Sequence, residues 1–316
     1  MGEFELIRQY FQPVADNARQ DQLVLGPGDD CAIQRVPSGC DLVFSVDTLV
    51  EGVHFPLNYP PDYLGWRALA VATSDLAAMG ADPVCFTLAL TLPAADPGWL
   101  GGFADGLAKA SAAFGIKLAG GDTTRGPLTL SIQVHGTVAE GQALRRSGAR
   151  PGDLVCVTGP LGDAGAALAY LDEPVPSLLQ QAVLSRYHYP QPRLALGQGL
   201  VGKASAAIDI SDGLLADLQH ILDASGVGAE LDATKIPVSP ELTQLQGDRA
   251  LALALSAGDD YELCLTIAPE VLEGLDSGLK SRLTVVGQVQ REPGLRVKGV
   301  DAEAGHRGFD HFGRSV

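Results

Sequence analysis

Strand-like and helix-like apolar segments alternate along the chain, and this alternation restricts the possible folds more than any other feature. The segments "DLVFSVDTLV" (41–50) and "PVCFTLALTLP" (83–93) are rich in β-branched and aromatic residues, which indicates strands. Between them, "DYLGWRALAVATSDLAAMGA" (62–81) carries small apolar residues throughout and predicts a helix. The first segment, "EFELIRQYFQP" (3–13), predicts an opening helix that closes at Pro13. We therefore predict a mixed α/β fold.

A polar stretch with glycine and proline breaks, "AEGQALRRSGARPGD" (139–153), interrupts this pattern near the middle of the chain. Strands and helices alternate again after it, from "LVCVTG" (154–159) to "RLTVVGQV" (282–289). We therefore predict two α/β domains: an N-terminal domain over residues 1–138, a linker over 139–151 and a C-terminal domain over 152–316.

Composition excludes several classes of partner. The 316 residues carry a net charge of −16 with a pI near 4.6, which disfavours a nucleic-acid partner because an acidic surface repels a phosphate backbone. No run approaches the ~20 apolar residues of a membrane span, and the N-terminus lacks an apolar signal core, so we expect no membrane association. The five scattered cysteines form no C-x-x-C pair. They predict reduced, buried thiols in a cytoplasmic protein.

Acidic residues beside glycine recur at the ends of apolar segments. They lie in "GPGDD", "SVDTLVEGVHF", "TSDLAAMGA", "GGDTTRG", "IDISDGL" and "AGDDYEL", as Asp29, Asp30, Asp47, Glu51, Asp75, Asp122, Asp209, Asp212, Asp259, Asp260 and Glu262. Taken singly, most are better explained as turn residues or helix caps. Asp75 differs because it lies inside a helical pattern among apolar neighbours, where a carboxylate requires a partner or a cation.

If these acids converge, they require neutralisation. Two unit charges ~5 Å apart repel by roughly 3 kcal/mol at an effective dielectric of ~20, and none of the six lysines lies in these stretches. Oxygen-only ligands favour Mg²⁺ or Ca²⁺. We read "AGGDTTRG" (119–126) as a loop in which Asp122 holds Mg²⁺ while the backbone of Gly120 and Gly121 packs against a nucleotide.

In this order, together with "LRRSGARPGD" (144–153) and "GFDHF" (308–312), these stretches resemble the thiamine-monophosphate kinases. That family belongs to the superfamily of aminoimidazole ribonucleotide synthetase. The resemblance spans nearly the whole chain. It implies ATP-dependent phosphorylation of thiamine phosphate to thiamine diphosphate by a cytoplasmic homodimer, in which the N-terminal sheets of two subunits pair into a barrel-like core.

The resemblance also implies roles for individual residues. The Mg²⁺ ligands would be Asp30, Ser45, Asp47, Asp75 and Asp122 in the first domain and Asp209 and Asp212 in the second. Val46 stands where the family often has a hydroxyl residue, so only its main-chain carbonyl could bind metal. ATP would contact Gly121, Asp122, Arg146 and Ser211, and thiamine phosphate would contact His54, Glu262 and either Phe309 or Phe312. No covalent enzyme nucleophile is expected, because the attacking group is a substrate phosphate that is ionised near neutral pH.

Three alternatives remain open from sequence. A sister enzyme is one, although selenophosphate synthetase would require a lysine near the "GPGDDCAI" loop and a hydrogenase-maturation relative would require a C-terminal cysteine, and this chain has neither. The second is a Mg²⁺–nucleotide sensor without catalysis, and the third is a structural protein stabilised by Ca²⁺.

Overall fold

The computed structural model describes residues 3–16 and 21–299. The chain divides into two compact units. The first comprises Met1–Leu76 and Ala81–Ala143, and the second comprises Ala77–Gly80 and Leu144–Val316. The main division therefore lies inside the stretch predicted as a linker, and a short piece at residues 77–80 groups with the second unit.

The described part of the first unit contains a hairpin and a four-stranded sheet. The strands are β1 (Leu23–Leu25), β2 (Ile33–Gln34), β3 (Cys40–Val50), β4 (Asp82–Leu92), β5 (Lys117–Arg125) and β6 (Thr129–Ala139). The larger sheet has the order β3-β6-β4-β5. β6 runs antiparallel to β3 and β4, while β5 runs parallel to β4.

Helices cover one face of this sheet. They are α1 (Glu3–Leu6), a π-helical turn (Ile7–Phe11), α2 (Gln12–Asp16), α3 (Pro61–Ala78) and α4 (Pro97–Phe114). Two glycines bring α3 and α4 into backbone contact: a Cβ on Gly65 would lie 2.3 Å from the Phe103 carbonyl oxygen, and one on Gly106 would lie 1.9 Å from that of Asp62. The opposite face of β3 carries Leu42, Phe44 and Val46, which are 42%, 62% and 61% exposed.

The described part of the second unit contains a six-stranded sheet in the order β12-β9-β11-β7-β10-β8. The strands are β7 (Leu154–Val157), β8 (Ala206–Asp209), β9 (Gly228–Asp232), β10 (Leu263–Ile267), β11 (Thr284–Gln290) and β12 (Gly294–Lys298). Neighbouring strands are antiparallel except for the parallel pair of β9 and β12.

Helices cover both faces of the second sheet. They are α5 (Asp163–Ala167), α6 (Leu178–His188), α7 (Leu194–Leu200), α8 (Leu214–Ser225), α9 (Pro240–Gln246), α10 (Ala250–Ser256), α11 (Pro269–Glu273) and α12 (Ser277–Lys280), with short 3₁₀ turns at Leu168–Tyr170, Ala233–Lys235 and Gly247–Arg249. Val155 and Val157 of β7 join the apolar cluster of α8, while Cys156 between them joins the cluster of α7, α11 and α12. This alternation is the period of two expected of a strand.

Two sequence-based expectations about local structure are wrong. The opening helix does not close at Pro13, because α2 carries it on to Asp16. A π-helical turn precedes α2, and in it the backbone N–H of Gln12 donates to the Ile7 carbonyl. The regular series of α-helical hydrogen bonds is therefore already interrupted before Pro13, whose missing N–H breaks no further bond of that series. The stretch "AGGDTTRG" is not a loop: most of it forms β5, paired in parallel with β4.

The cysteines are free thiols, as predicted, but not all are buried. Cys85, Cys156 and Cys264 are buried, Cys40 is half-buried and Cys31 is exposed. Among the described residues, every helix is too short or too polar to cross a bilayer.

Candidate active site

Strand β3 and helix α3 bring three of the predicted metal ligands together. Ser45 and Asp47 lie on the helix-covered face of β3, and the Ser45 hydroxyl donates a hydrogen bond to the Asp75 carboxylate. Burial, with a further contribution from the Asp75 carboxylate, raises the pKa of Asp47 to about 6. Two half-buried carboxylates, one of them bonded to a hydroxyl, are an oxygen-only group that a divalent cation would stabilise.

Val46 lies between these residues, but its side chain is on the other face. It is 61% exposed there. Its apolar side chain has no donor atom for a metal, so a contact through its carbonyl stays a prediction.

A second group of predicted residues lines a cavity of about 1040 Å³ in the first unit. Asp29 and Asp30 reach it from the loop between β1 and β2, and Gly121 and Asp122 reach it from β5. Asp30 and Asp122 therefore share one cavity, beside the glycine pair that was expected to meet a nucleotide.

A β-bulge shapes β5 at this point. Phe86 pairs with Leu118 and Thr87 pairs with Gly120, so Ala119 is an extra residue immediately before the two glycines. Gly121 then packs tightly on β4, because a Cβ there would lie 2.0 Å from the Leu88 carbonyl oxygen. Bulges redirect a strand and its side chains, and they are frequent near active sites.

The two groups of acids are at opposite edges of the same sheet. Asp47 pairs with Ile132, Ile132 with Leu88, and Leu88 with Gly121, so one row of the sheet joins them. Three strand spacings separate β3 from β5, which amounts to ~14 Å. Within one chain, the backbones that carry Asp47 and Asp122 are therefore well separated.

In the second unit, the segments "IDISDGL" and "AGDDYEL" are hydrogen-bonded to each other. The backbone N–H groups of Asp259 and Tyr261 donate to the carbonyls of Ser211 and Ile210, both at 2.9 Å. A Cβ on Gly258 would lie 2.2 Å from the Ser211 carbonyl oxygen. Asp259 and Tyr261 have φ values of 70° and 51°, a conformation that non-glycine residues rarely adopt and that is often found at functional sites.

Asp217 holds the turn that carries Ser211 and Asp212. Its buried carboxylate accepts the backbone N–H groups of both residues, each at 3.0 Å. Burial raises the pKa of Asp217 to about 7, although the backbone hydrogen bonds oppose this shift. Asp209, at the end of β8, is buried immediately before this turn.

Glu262 is buried against two arginines. Its carboxylate accepts hydrogen bonds from Arg186 at 2.7 Å, from Arg193 through two nitrogens, and from the Thr158 hydroxyl at 2.6 Å. Burial alone would raise its pKa, but Arg193 and Arg186 hold it below the usual range. Direct contact between Glu262 and a substrate stays a prediction, and this geometry favours an indirect role through the arginines.

The remaining predicted residues have less distinctive surroundings. The half-buried His54 accepts the Val50 backbone N–H at its Nδ1, 3.0 Å away, so the neutral ring carries its proton on Nε2. Arg146 is exposed, and its carbonyl accepts a hydrogen bond from Ser225. Phe309 and Phe312 lie outside the described residues.

The predicted metal ligands are all oxygen atoms, which is the ligand type that Mg²⁺ prefers. Within residues 3–16 and 21–299, no three His, Cys, Asp or Glu side chains are grouped closely enough to hold a metal ion by themselves. Sites that Mg²⁺ shares with substrate phosphates and water need only one or two carboxylates, which agrees with these separate groups.

The N-terminal helix also lines this cavity, which its sequence did not indicate. Ile7, Arg8, Phe11 and Gln12 line the same cavity as Asp30 and Gly121, and three of them belong to the π-helical turn. π-Helical turns are rare in proteins as a whole, but those that occur often lie at functional sites. No acid–glycine motif lies in this segment, and a π-helical turn has no reliable sequence signature.

Comparison with known proteins first defines the class. Residues 28–138 match the family described as AIR synthase related protein, N-terminal domain, and residues 150–300 match its C-terminal domain. Three full-length similarities are more specific. Thiamine-monophosphate kinase of Salmonella typhimurium is 44% identical, over 98% of each chain. The crystal structure of thiamine-monophosphate kinase from Stenotrophomonas maltophilia K279a is 42% identical and covers 93% of this chain and 96% of its own, with a TM-score of 0.86.

A structure of AaThiL complexed with AMPPCP and TMP is 30% identical and covers 98% of this chain and 97% of its own, with a TM-score of 0.81. The chain therefore belongs to the thiamine-monophosphate kinase family.

Proposed function

We propose that this protein phosphorylates thiamine phosphate to thiamine diphosphate, with ATP as the phosphoryl donor and Mg²⁺ as the metal. The observation that carries the proposal is the full-length similarity to thiamine-monophosphate kinases, including a relative complexed with AMPPCP and TMP. The cavity lined by Asp30, Gly121 and Asp122 supports this proposal. In it, glycine backbone that a nucleotide could approach closely lies beside carboxylate oxygens that could bind a metal.

Two sets of residues would hold Mg²⁺ in the first unit: Asp30 with Asp122, and Ser45 with Asp47 and Asp75. The carbonyl of Val46 and, in the second unit, Asp209 and Asp212 complete the proposed ligands. When bound, Mg²⁺ neutralises phosphate charge and aligns the reacting groups. The backbone at Gly121 lets a nucleotide approach β5 closely, and Arg146 and Ser211 are proposed to contact it as well.

The chain's own residues then contribute orientation and charge balance. A phosphate oxygen of thiamine phosphate is ionised near neutral pH and can attack without an enzyme base. Catalysis requires both anions to be held in line and shielded from each other. His54 and the "GFDHF" segment, with Phe309 or Phe312, are proposed to hold the cationic thiazolium end.

We further propose a homodimer whose first units, over residues 1–138, pair into a barrel-like core. β3 and β5 are the edges of the described four-stranded sheet, and edge strands are free to pair with a second copy. Eight strands from two copies would close a barrel. The exposed Leu42, Phe44 and Val46 would then fill its interior.

The test is ADP formation by the purified protein with thiamine, thiamine phosphate and unrelated phosphate monoesters. We expect turnover that requires thiamine phosphate. A sensor would show no turnover with any of them, and turnover on thiamine but not on its monophosphate would contradict the proposed substrate.

Removing the metal tests its role separately. We expect excess EDTA to abolish ADP formation and excess Mg²⁺ to restore it, because the proposed ligands are anions that cannot neutralise phosphate themselves. Undiminished turnover in EDTA would contradict the proposed metal.

A further inference from the structure

Glu262, Arg186 and Arg193 form a cluster, here called the arginine pair on Glu262, that the sequence motifs assign only in part. The Glu262 side chain is 0% exposed, whereas the side chains of Arg186 and Arg193 are 27% and 18% exposed. The carboxylate therefore lies at the base of the cluster, and the two guanidinium groups reach from it towards solvent.

The carboxylate has no capacity left for another ligand. One oxygen accepts from both arginines, and the other accepts from Arg193 and from the Thr158 hydroxyl. Gly159 leaves the space that this carboxylate occupies, because a Cβ there would lie 2.5 Å from Glu262 Oε1.

The guanidinium groups, in contrast, have unused donors. A guanidinium carries five N–H donors. In the described part of the chain, the Arg186 side chain makes one hydrogen bond and the Arg193 side chain makes two. Most of their N–H groups are therefore available to an outside acceptor.

The cluster has a net positive charge. One ionised glutamate balances only one of the two arginines. Asp260 and Asp163 lie nearby, and burial raises the pKa of both carboxyl groups. A partly exposed pair of arginines on one carboxylate stands out in a chain with a net charge of −16.

We propose that Arg186 and Arg193 bind the phosphate of thiamine phosphate, and that Glu262 is a positioning residue that holds both guanidinium groups in place. Fixed guanidinium groups suit an oxyanion, because they donate several hydrogen bonds in a defined geometry. This inference rests on the proposed function and adds a metal-independent contact to the acceptor substrate.

The kinetic test replaces each arginine by methionine, which keeps the length of the side chain. We expect Arg186→Met and Arg193→Met to raise KM for thiamine phosphate at least tenfold while KM for ATP stays within twofold. Arg186→Lys should raise KM for thiamine phosphate less than Arg186→Met does. Lysine keeps the positive charge but lacks the planar set of N–H donors of a guanidinium group. Arg282→Met, at an exposed turn of the same unit, is the matched control and should change neither constant.

Glu262→Gln distinguishes positioning from simple structural support. We expect it to raise KM for thiamine phosphate, since both guanidinium groups lose their anchoring charge. A purely structural role would lower the yield of folded enzyme and kcat at an unchanged KM. An unchanged KM for thiamine phosphate in the folded arginine variants, or a rise in KM for ATP alone, would overturn the proposal.

A binding measurement on the unaltered protein does not depend on how well the variants fold. By calorimetry in EDTA without ATP, thiamine phosphate should bind at least tenfold more tightly than thiamine. Equal affinities would overturn the arginine site. The proposed function fails instead if the unaltered protein shows no turnover that depends on thiamine phosphate, so the two failures are distinguishable.

Discussion

At the scale of single residues, Asp47 combines a structural disadvantage with a proposed functional role. Its half-buried carboxylate lies beside that of Asp75, and burial raises its pKa to about 6. Such an arrangement is unfavourable in a protein without a bound cation and becomes favourable when a cation is present.

Asp47→Asn should therefore lower ADP formation by roughly 100-fold or more at saturating Mg²⁺, because it removes the charge of a proposed metal ligand while keeping the side-chain shape. The measurement is a coupled ATP assay, with circular dichroism to confirm the fold. Asp105→Asn is the control, since Asp105 pairs with Lys109 on an exposed helix surface. Near-normal turnover by the Asp47 variant would contradict the proposed ligand set.

Asp163 gives a prediction for stability as a function of pH. Burial raises its pKa above the ordinary value of 3.8; the nearby carboxylates of Glu241 and Glu262 act in the same direction, while the Ser239 hydrogen bond and Arg186 oppose the shift. The folded state therefore binds this proton more tightly than the unfolded state, and stability decreases as pH rises from ~4 through the folded pKa.

Asp163→Asn should remove this penalty, because asparagine can still accept the Ser239 hydrogen bond. We expect its melting temperature, relative to the unaltered protein, to increase between pH 4 and pH 8. Asp172→Asn, at an exposed turn, should show no such trend. If the melting temperature of Asp163→Asn differed from that of the unaltered protein by the same amount at every pH, the predicted pH dependence of Asp163 would be contradicted.

The surroundings of a residue could be predicted from sequence only where its neighbours in the sequence already indicated its contacts in the structure. The position of Asp75 inside an apolar helix indicated that it needed a partner, and Ser45 and Asp47 lie beside it. The surroundings of Glu262 were not readable, because Thr158, Arg186 and Arg193 come from three separate segments.

At the scale of elements, β5 shows how a strand can be mistaken for a loop. Two glycines, an aspartate and two threonines have the composition of a turn, yet parallel pairing with β4 fixes them in a strand. Strands β3 and β4 and helix α3 were predicted correctly because their hydrophobic patterns are continuous. The bulge at Ala119 depends on contacts with β4, which are remote in sequence.

Gly121→Ala should destabilise this strand pair. The new Cβ would lie 2.0 Å from the Leu88 carbonyl oxygen, whereas a Cβ on the neighbouring Gly120 would meet nothing within 4 Å. We expect thermal unfolding to show a loss of ~1–3 kcal/mol for Gly121→Ala. The matched control, Gly120→Ala, should unfold at nearly the same temperature as the unaltered protein. Equal stability of both variants would show that β4 and β5 can separate without a penalty.

At the scale of the whole molecule, the exposed apolar residues of β3 predict how the chain assembles. Phe44→Glu would place a charge inside the proposed barrel, so we expect sedimentation to show conversion of dimer to monomer. Val175→Glu is the matched control, because Val175 is 82% exposed in the second unit. A dimer that persists in the Phe44 variant would place the subunit interface elsewhere.

The two bare edges of the four-stranded sheet also affect the newly made chain. Without the proposed pairing with a second copy, the chain presents unpaired strand edges beside an apolar surface, an arrangement that promotes irregular aggregation. The net charge of −16 opposes this by mutual repulsion between chains. High salt screens that repulsion, so refolding from denaturant should give more soluble protein in dilute buffer than in concentrated salt.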